Sequence, residues 1–476
     1  MMRGLPPIET GSNTRVRRWD AVILGSALPG LVAAARLGLH TARVLVIDEG
    51  AAARRPACLR EPFFLGGAGK QGVLGACLRS LRVPLIDQRR IEDGPLAFQV
   101  ALPNARLDIG TVPLSVDEWV AWGLAKPDES RRLAAALESM GVAERVALID
   151  APLVKAGRRG PLGSRRPTID PGPEPLSTEP LTRGLPPELA AAPPQLATVL
   201  AAWTRALSNL GGTEPSDAAR ARLLGAPFGG SADGRDADGL RLMLRRRIES
   251  LYGEFRTLDG PFRLVSVNGQ PGLAPDARGE SGEVWVGRAF VINAPRTALA
   301  GVVDQDPVPA PLSAPTARWR RTALHWQIRT DLLPGAMARR VIIVGDEQQP
   351  LVSTNLVTLR SFPHRDGSTD LVAAAVVETG ASPAAVESAI EARVAEILPF
   401  TEGHLERMRA PEPAWDEEDT LPDPPPGTGW PGEVVIRLPT KQLLYTLERS
   451  GVASLGTEGD LLLGWRGGDT IAANLA

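Results

Sequence analysis

The sequence predicts a two-domain α/β protein, and three observations carry that prediction. Its 476 residues exceed what one ordinary hydrophobic core organises. A short apolar run, WDAVIL over 19–24, breaks at Gly25 into an Ala-rich helical stretch, Leu28 to Leu39, and a second apolar run follows from Arg43 to Ile47. Such a strand, turn, helix and strand make a right-handed βαβ unit with parallel strands. Strand-like and helix-like segments alternate again from Gly229 onward, the pattern of a parallel sheet layered by helices.

Composition excludes several classes. The chain is 43% hydrophobic and 23% charged, with a net charge of -2, so nothing favours nucleic acid or an anionic membrane as partner. Two cysteines, Cys58 and Cys77, cannot make a disulfide framework and suit a reducing compartment. His40, His325, His364 and His404 are scattered without metal-type spacing, so no metal is expected. Residues 1–18 lack the apolar core of a secretory signal, and no run approaches the ~20 apolar residues of a membrane span. The expected location is the cytoplasm; peripheral membrane contact and a protein partner stay open.

Further elements follow in order. A hairpin is expected from Ala97 to Ile109, turning at Pro103-Asn104. Ser115 and Glu118 have capping-box spacing before a helix, Val116 to Leu124. Arg131 to Met140 reads as another helix, and 156–193 as a Pro/Gly/Arg-rich insert. Asn268-Gly269 signals a hairpin after the strand Phe262 to Val267. Glu283 to Val286 and Ala289 to Ile292 read as two strands, and Leu324 to Ile328, Val341 to Val344, Leu356 to Arg360 and Leu371 to Val377 as a separate layer. Ser382-Pro383 opens a helix, and Leu461 to Leu475 closes the series as an apolar one.

The turn Gly25-Ser26-Ala27-Leu28-Pro29-Gly30 carries the chemistry. A pyrophosphate needs close backbone approach, which glycine permits, and the free N–H groups of a helix start. Asp48, followed by Glu49, lies 18 residues after Gly30, where an acid accepts hydrogen bonds from a ribose diol. The acid disfavours a 2′-phosphate, leaving FAD or NAD. Ala27 stands where this fingerprint has its middle glycine, and its methyl crowds the phosphate at a cost of about 1 kcal/mol.

With the downstream blocks added, the chain resembles the FAD-dependent amine oxidase, phytoene desaturase and protoporphyrinogen oxidase superfamily. VILGSALPGLVAAARL with RVLVID is similar to its FAD fingerprint. The stretch from Tyr252 through Phe262, then Arg288 to Pro295 with Asn293-Ala294, resembles its second FAD block, and Gly456-Thr457-Glu458-Gly459 its closing helix start. Leu332 to Met337 resembles part of its substrate domain. The resemblance implies a Rossmann-like, three-layer, parallel-sheet FAD domain from 19–110, 215–310 and 441–476. A sheet-and-helix substrate domain from 111–214 and 311–440 is interleaved with it. It further implies FAD as cofactor, hydride transfer from an apolar or amine-bearing small molecule, and flavin-side roles for Gly456, Glu458 and Gly459.

Two departures accompany it. The superfamily's Gly-Gly pair closely follows its ribose-binding acid; here Gly66-Gly67 comes 18 residues after Asp48, as a displaced equivalent or a plain loop. Leu447 stands where a strand ending in Ala-Gly-Asp has glycine, with Glu448 as the acid. No catalytic residue is assigned, because flavin chemistry asks for positioning more than an acid–base pair. Lys70 and Lys441 are candidate contacts or plain surface residues, and His325 and Trp326 line a pocket or pack a core. A flavin-free binding protein on the same fold, as in the Rab GDP-dissociation inhibitors, is the alternative, and a NAD-binding dehydrogenase a further one.

Overall fold

The computed structural model describes residues 5–8, 14–50, 54–66, 72–150, 154–155, 185–234, 238–275, 282–300, 302–305, 309, 312, 318–409, 420–421 and 434–476. Gly67, Lys70 and all of the expected insert before residue 185 lie outside these ranges.

Seven described strands form the first sheet. Arg15–Leu24 lies between Val44–Glu49 and Glu283–Ile292, parallel to both, and Glu254–Leu258 extends it parallel to Val44–Glu49. The sequence reads 283–292 as two strands because Gly287-Arg288 interrupts the apolar run; the chain continues straight through. Its first half pairs antiparallel with Gln270–Ala274, partner of Arg263–Val267 across the Asn268-Gly269 turn. Both turn residues have positive φ, 51° and 78°, the backbone a two-residue hairpin demands. Its second half pairs parallel with Leu443–Thr446. The register aligns Leu24 with Ile47 and Ile292, and Ile292 with Thr446, so four strands end along one carboxyl edge, where open α/β sheets bind ligands.

Helices cover one face of this sheet. The opening helix Leu28–Leu39 packs against the closing helix Gly456–Leu475 through Gly464, whose missing Cβ makes room for the Pro29 carbonyl, and Gly468, which sits against Arg36. The opposite face carries Val22, Leu24, Leu45 and Ile47 against Phe262, Leu299 and Leu438.

The second sheet has eight described strands, in the order Glu406–Met408, Trp319–Arg329, Ser368–Glu378, Leu356–Pro363, Arg340–Val344, Leu96–Leu102, Ala105–Gly110, with Thr420–Leu421 also on Trp319–Arg329. The hairpin at Pro103-Asn104 forms as expected. Its strands, grouped with the first domain in the sequence reading, are hydrogen-bonded in the second sheet through Arg340–Val344. Helix Pro383–Ile397 covers one face, burying Val386, Ile390 and Val394 against Leu324, Trp326 and Leu371.

Two helix boundaries differ from expectation. The helix near 116 starts at Val112 with Thr111 as N-cap, and Ser115 lies inside it, its hydroxyl bonded to the Gly110 N–H (3.0 Å). Pro113, at the second helical position, suits this earlier start. The helix read from Arg131 to Met140 runs over Pro127–Asp150; Gly141 does not stop it, because it abuts Gly225 of the neighbouring helix Asp217–Gly225, where a Cβ would meet the Gly225 Cα at 2.5 Å.

Candidate functional site

The site begins where the first strand ends. Gly25 has φ of +106° and donates its N–H to the Ile47 carbonyl at 3.0 Å. Asn293, at the end of Glu283–Ile292, donates its side-chain amide to the carbonyls of Gly25 (3.0 Å) and Ala27 (3.2 Å). Both carbonyls are thereby engaged inside the turn. Ala27 is the N-cap of the opening helix, with no side-chain cap and no acid in the first turn, so the helix's own first turn does not offset its positive end. Ser26 and Leu28 are buried beside it. Asn293 and Ala294 both donate backbone N–H groups to the Leu24 carbonyl, which ties the two strand ends together.

Asp48, next to last in the second strand, is buried. Its Oδ2 accepts from Arg54 (3.1 Å) and Arg245 (3.0 Å), while Oδ1 is buried without a hydrogen-bond partner. Glu49 is buried next to it.

A cavity of about 140 Å3 lies between the two sheets. Ala27, Leu28 and Pro29 line it from the first, Thr358, Arg360 and Ala374 from the second, and Thr457 and Asp460 from the closing helix. Sequence reasoning missed this cationic wall. Arg321 and Ala323 with His325 alternate along one strand, and Thr358 with Arg360 along another, facing away from the Leu324–Trp326 core. Arginine between apolar strand residues was the available signal.

The other expected site residues that are described do not themselves line this cavity, although Gly456, Glu458 and Gly459 flank the lining residues Thr457 and Asp460. Phe262 is fully buried in the core on the far face of the first sheet. Gly66 bridges Ser231, with Phe64 packed over it. Gly456, at φ +57°, sits beneath the Leu207 carbonyl. Gly459 leaves room for the Val452 carbonyl, 2.6 Å from where its Cβ would be. Glu458 pairs with the fully buried Arg222. Leu447 points into the core, where a Cβ on Gly467 would lie only 2.8 Å from its Cδ2. Glu448 forms a two-bond pair with Arg296, one contact at 2.9 Å. Lys441 is exposed, and Trp326 is buried in the helix-covered core.

His325 is buried on the cavity-side face, 3.2 Å from Asp370 and 3.6 Å from the Cys58 sulfur. His364 reaches the other Asp370 oxygen at 2.9 Å. Among the described residues, Cys58, His325 and Asp370 bring metal-ligating atoms within 4.8 Å of one another, a grouping that no sequence spacing announces. Burial, followed by the Asp370 charge, pushes the Cys58 thiol up to about 12.

No family model matches the chain, and no curated protein sequence does. Solved structures do. An oxidoreductase from Methanosarcina mazei superposes with a TM-score of 0.51 at 13% identity, over 94% of this chain and 99% of that one. Cyclohexylamine oxidase from Brevibacterium oxydans gives 0.50 at 14%, over 96% and 99%. A putrescine oxidase variant gives 0.51 at 14%, over 97% and 100%. Along nearly its whole length, the chain therefore shares the fold of these oxidases and of the Methanosarcina oxidoreductase.

Proposed function

We propose that this chain is a FAD-dependent oxidoreductase that takes hydride from a small molecule held between its two sheets. The observation that carries the reading is the uncapped helix start at Ala27–Gly30, opening on an arginine-lined cavity at the carboxyl edge of a parallel sheet. The adenosine half of the cofactor fits these residues. The helix start, with Arg55 on the cavity wall, would hold the pyrophosphate. The buried, partnerless Asp48 Oδ1 would accept from a ribose hydroxyl, as an orphaned acceptor is costly to leave unmet. Bound FAD supplies a two-electron acceptor for a C–H or C–N bond. The protein's share is to orient the substrate between Thr457 and the second sheet and to keep water out.

A flavin-free binding protein is the second reading. It is favoured by the Leu207 carbonyl seated on Gly456 and by a cavity of about 140 Å3, below the ~300–1,000 Å3 usual for small-molecule sites. Absorbance decides between them. The purified protein, with FAD added and excess removed, is expected to keep a flavin band near roughly 450 nm that bleaches on reduction. A colourless protein after that treatment overturns the flavin reading.

A further inference from the structure

Among the described residues, seven arginines line the cavity against two carboxylates, Glu61 and Asp460. Acids account for four of them. Arg60 and Arg241 share Asp238 (2.5 and 3.5 Å), Arg205 meets Glu214 (2.5 Å), and Arg449 meets Asp460 (2.5 Å). The other three are Arg55, Arg321, which donates to the Asn209 side-chain oxygen at 2.9 Å, and Arg360.

Arg360 is the informative one. It sits mid-strand on Leu356–Pro363, is 7% exposed, and its Nη1 is buried without a hydrogen-bond partner. Its guanidinium carbon lies 5.7 Å from the Phe362 ring centre. Its strand neighbour Arg340 is also buried and spends its donors on the Ala97 and Ala232 carbonyls. Burial first, opposed by the Glu61 charge, pulls the Arg360 guanidinium down to about 10. Glu61 is a poor counter-charge, since burial and then Asp238 push its carboxyl up. A desolvated guanidinium with an open donor is costly unless an anion meets it, and its forked geometry matches an oxyanion.

We propose that the second-sheet wall of the cavity receives an oxyanion, a carboxylate or phosphate group of the ligand, on Arg360 with Arg321 beside it. Where the flavin reading holds, this group is the anionic end of the substrate; that assignment rests on the flavin reading, whereas oxyanion binding does not. The expectation of an apolar or amine-bearing substrate narrows accordingly: a purely cationic or neutral molecule leaves Arg360 unmet.

Calorimetric titration of the full chain, with and without added FAD, tests this at constant ionic strength. The probes are succinate, inorganic phosphate, neutral succinamide and benzylamine. Saturable binding of succinate or phosphate, with neither succinamide nor benzylamine bound, is expected, and the better oxyanion identifies the group. Arg360→Met should weaken it at least about tenfold and leave FAD affinity within about twofold. If Arg360→Met does not fold, Arg360→Lys and Arg321→Met serve, each expected to weaken the oxyanion at least about threefold. Four results overturn the proposal: neither oxyanion binds, succinamide binds as well as succinate, the arginine variants bind as wild type does, or Arg360→Met lowers FAD affinity as much as oxyanion affinity. A protein that takes succinate through Arg360 but no FAD upholds the oxyanion site while removing the flavin reading.

Discussion

The side-chain amide of Asn293 occupies the space a Cβ on Gly30 would need, and from there it bonds the carbonyls of Gly25 and Ala27. The glycine and the asparagine are thus one device, built from residues 263 positions apart in sequence.

Gly30→Ala is therefore expected to cost about 1–3 kcal/mol, as overpacking a rigid contact does. The urea midpoint measures it. Adding Asn293→Ala should recover part of the loss, since the clash with the amide then disappears and only that with the Gly25 carbonyl, at 2.9 Å, remains; full additivity of the two losses would contradict the coupling.

On the proposed flavin reading, Asp48→Ala should lower FAD affinity at least about tenfold, because it removes an acceptor and leaves Arg54 and Arg245 without their shared carboxylate. Ala27→Gly should hold or raise affinity by removing a methyl from the turn. Flavin fluorescence quenching reads both, and a loss of binding in Ala27→Gly would contradict the geometry of the turn.

Glu458 and Arg222 form a buried ion pair under the closing helix. Removing the acid by Glu458→Ala strands the cation and should cost about 3–5 kcal/mol, whereas Arg222→Met with Glu458→Leu should restore much of it. Thermal unfolding of the three proteins distinguishes a structural pair from a site residue whose loss leaves stability unchanged.

Cys58 and Cys77 are both buried, and burial raises each thiol from 9.0 to about 12. Iodoacetamide at about pH 8 should label neither in the native protein and both in denaturant. From 9.0 up to about 12 the unfolded chain loses thiol protons that the native state keeps. Their contribution to stability is therefore complete below that window and declines through it as pH rises. Rapid native labelling at about pH 8 would contradict the burial of these groups.

Local chemistry made much of the frame legible. The apolar runs around Gly25, the Asn268-Gly269 turn and the Ser382-Pro383 helix start are written in adjacent residues, and all three form. What adjacent residues cannot state is which side of a strand meets which partner. Leu447 looks incompatible with a close backbone contact until Gly467, on another element, provides its space. Arg360 reads as an ordinary strand-end cation until two sheets close over it. Asp48 was visible as an acid, but not that two arginines already hold one of its oxygens.

Glu283–Ile292 changes partners along its length, antiparallel to Gln270–Ala274 first and parallel to Leu443–Thr446 after. During synthesis the hairpin half can form early, whereas the other half waits for a strand more than 150 residues downstream. Until 443–475 emerge, the opening helix also lacks the surface against which Gly464 and Gly468 lock it. A ribosome stalled before that point would hold a chain whose first sheet is open to the wrong strand along Ala289–Ile292.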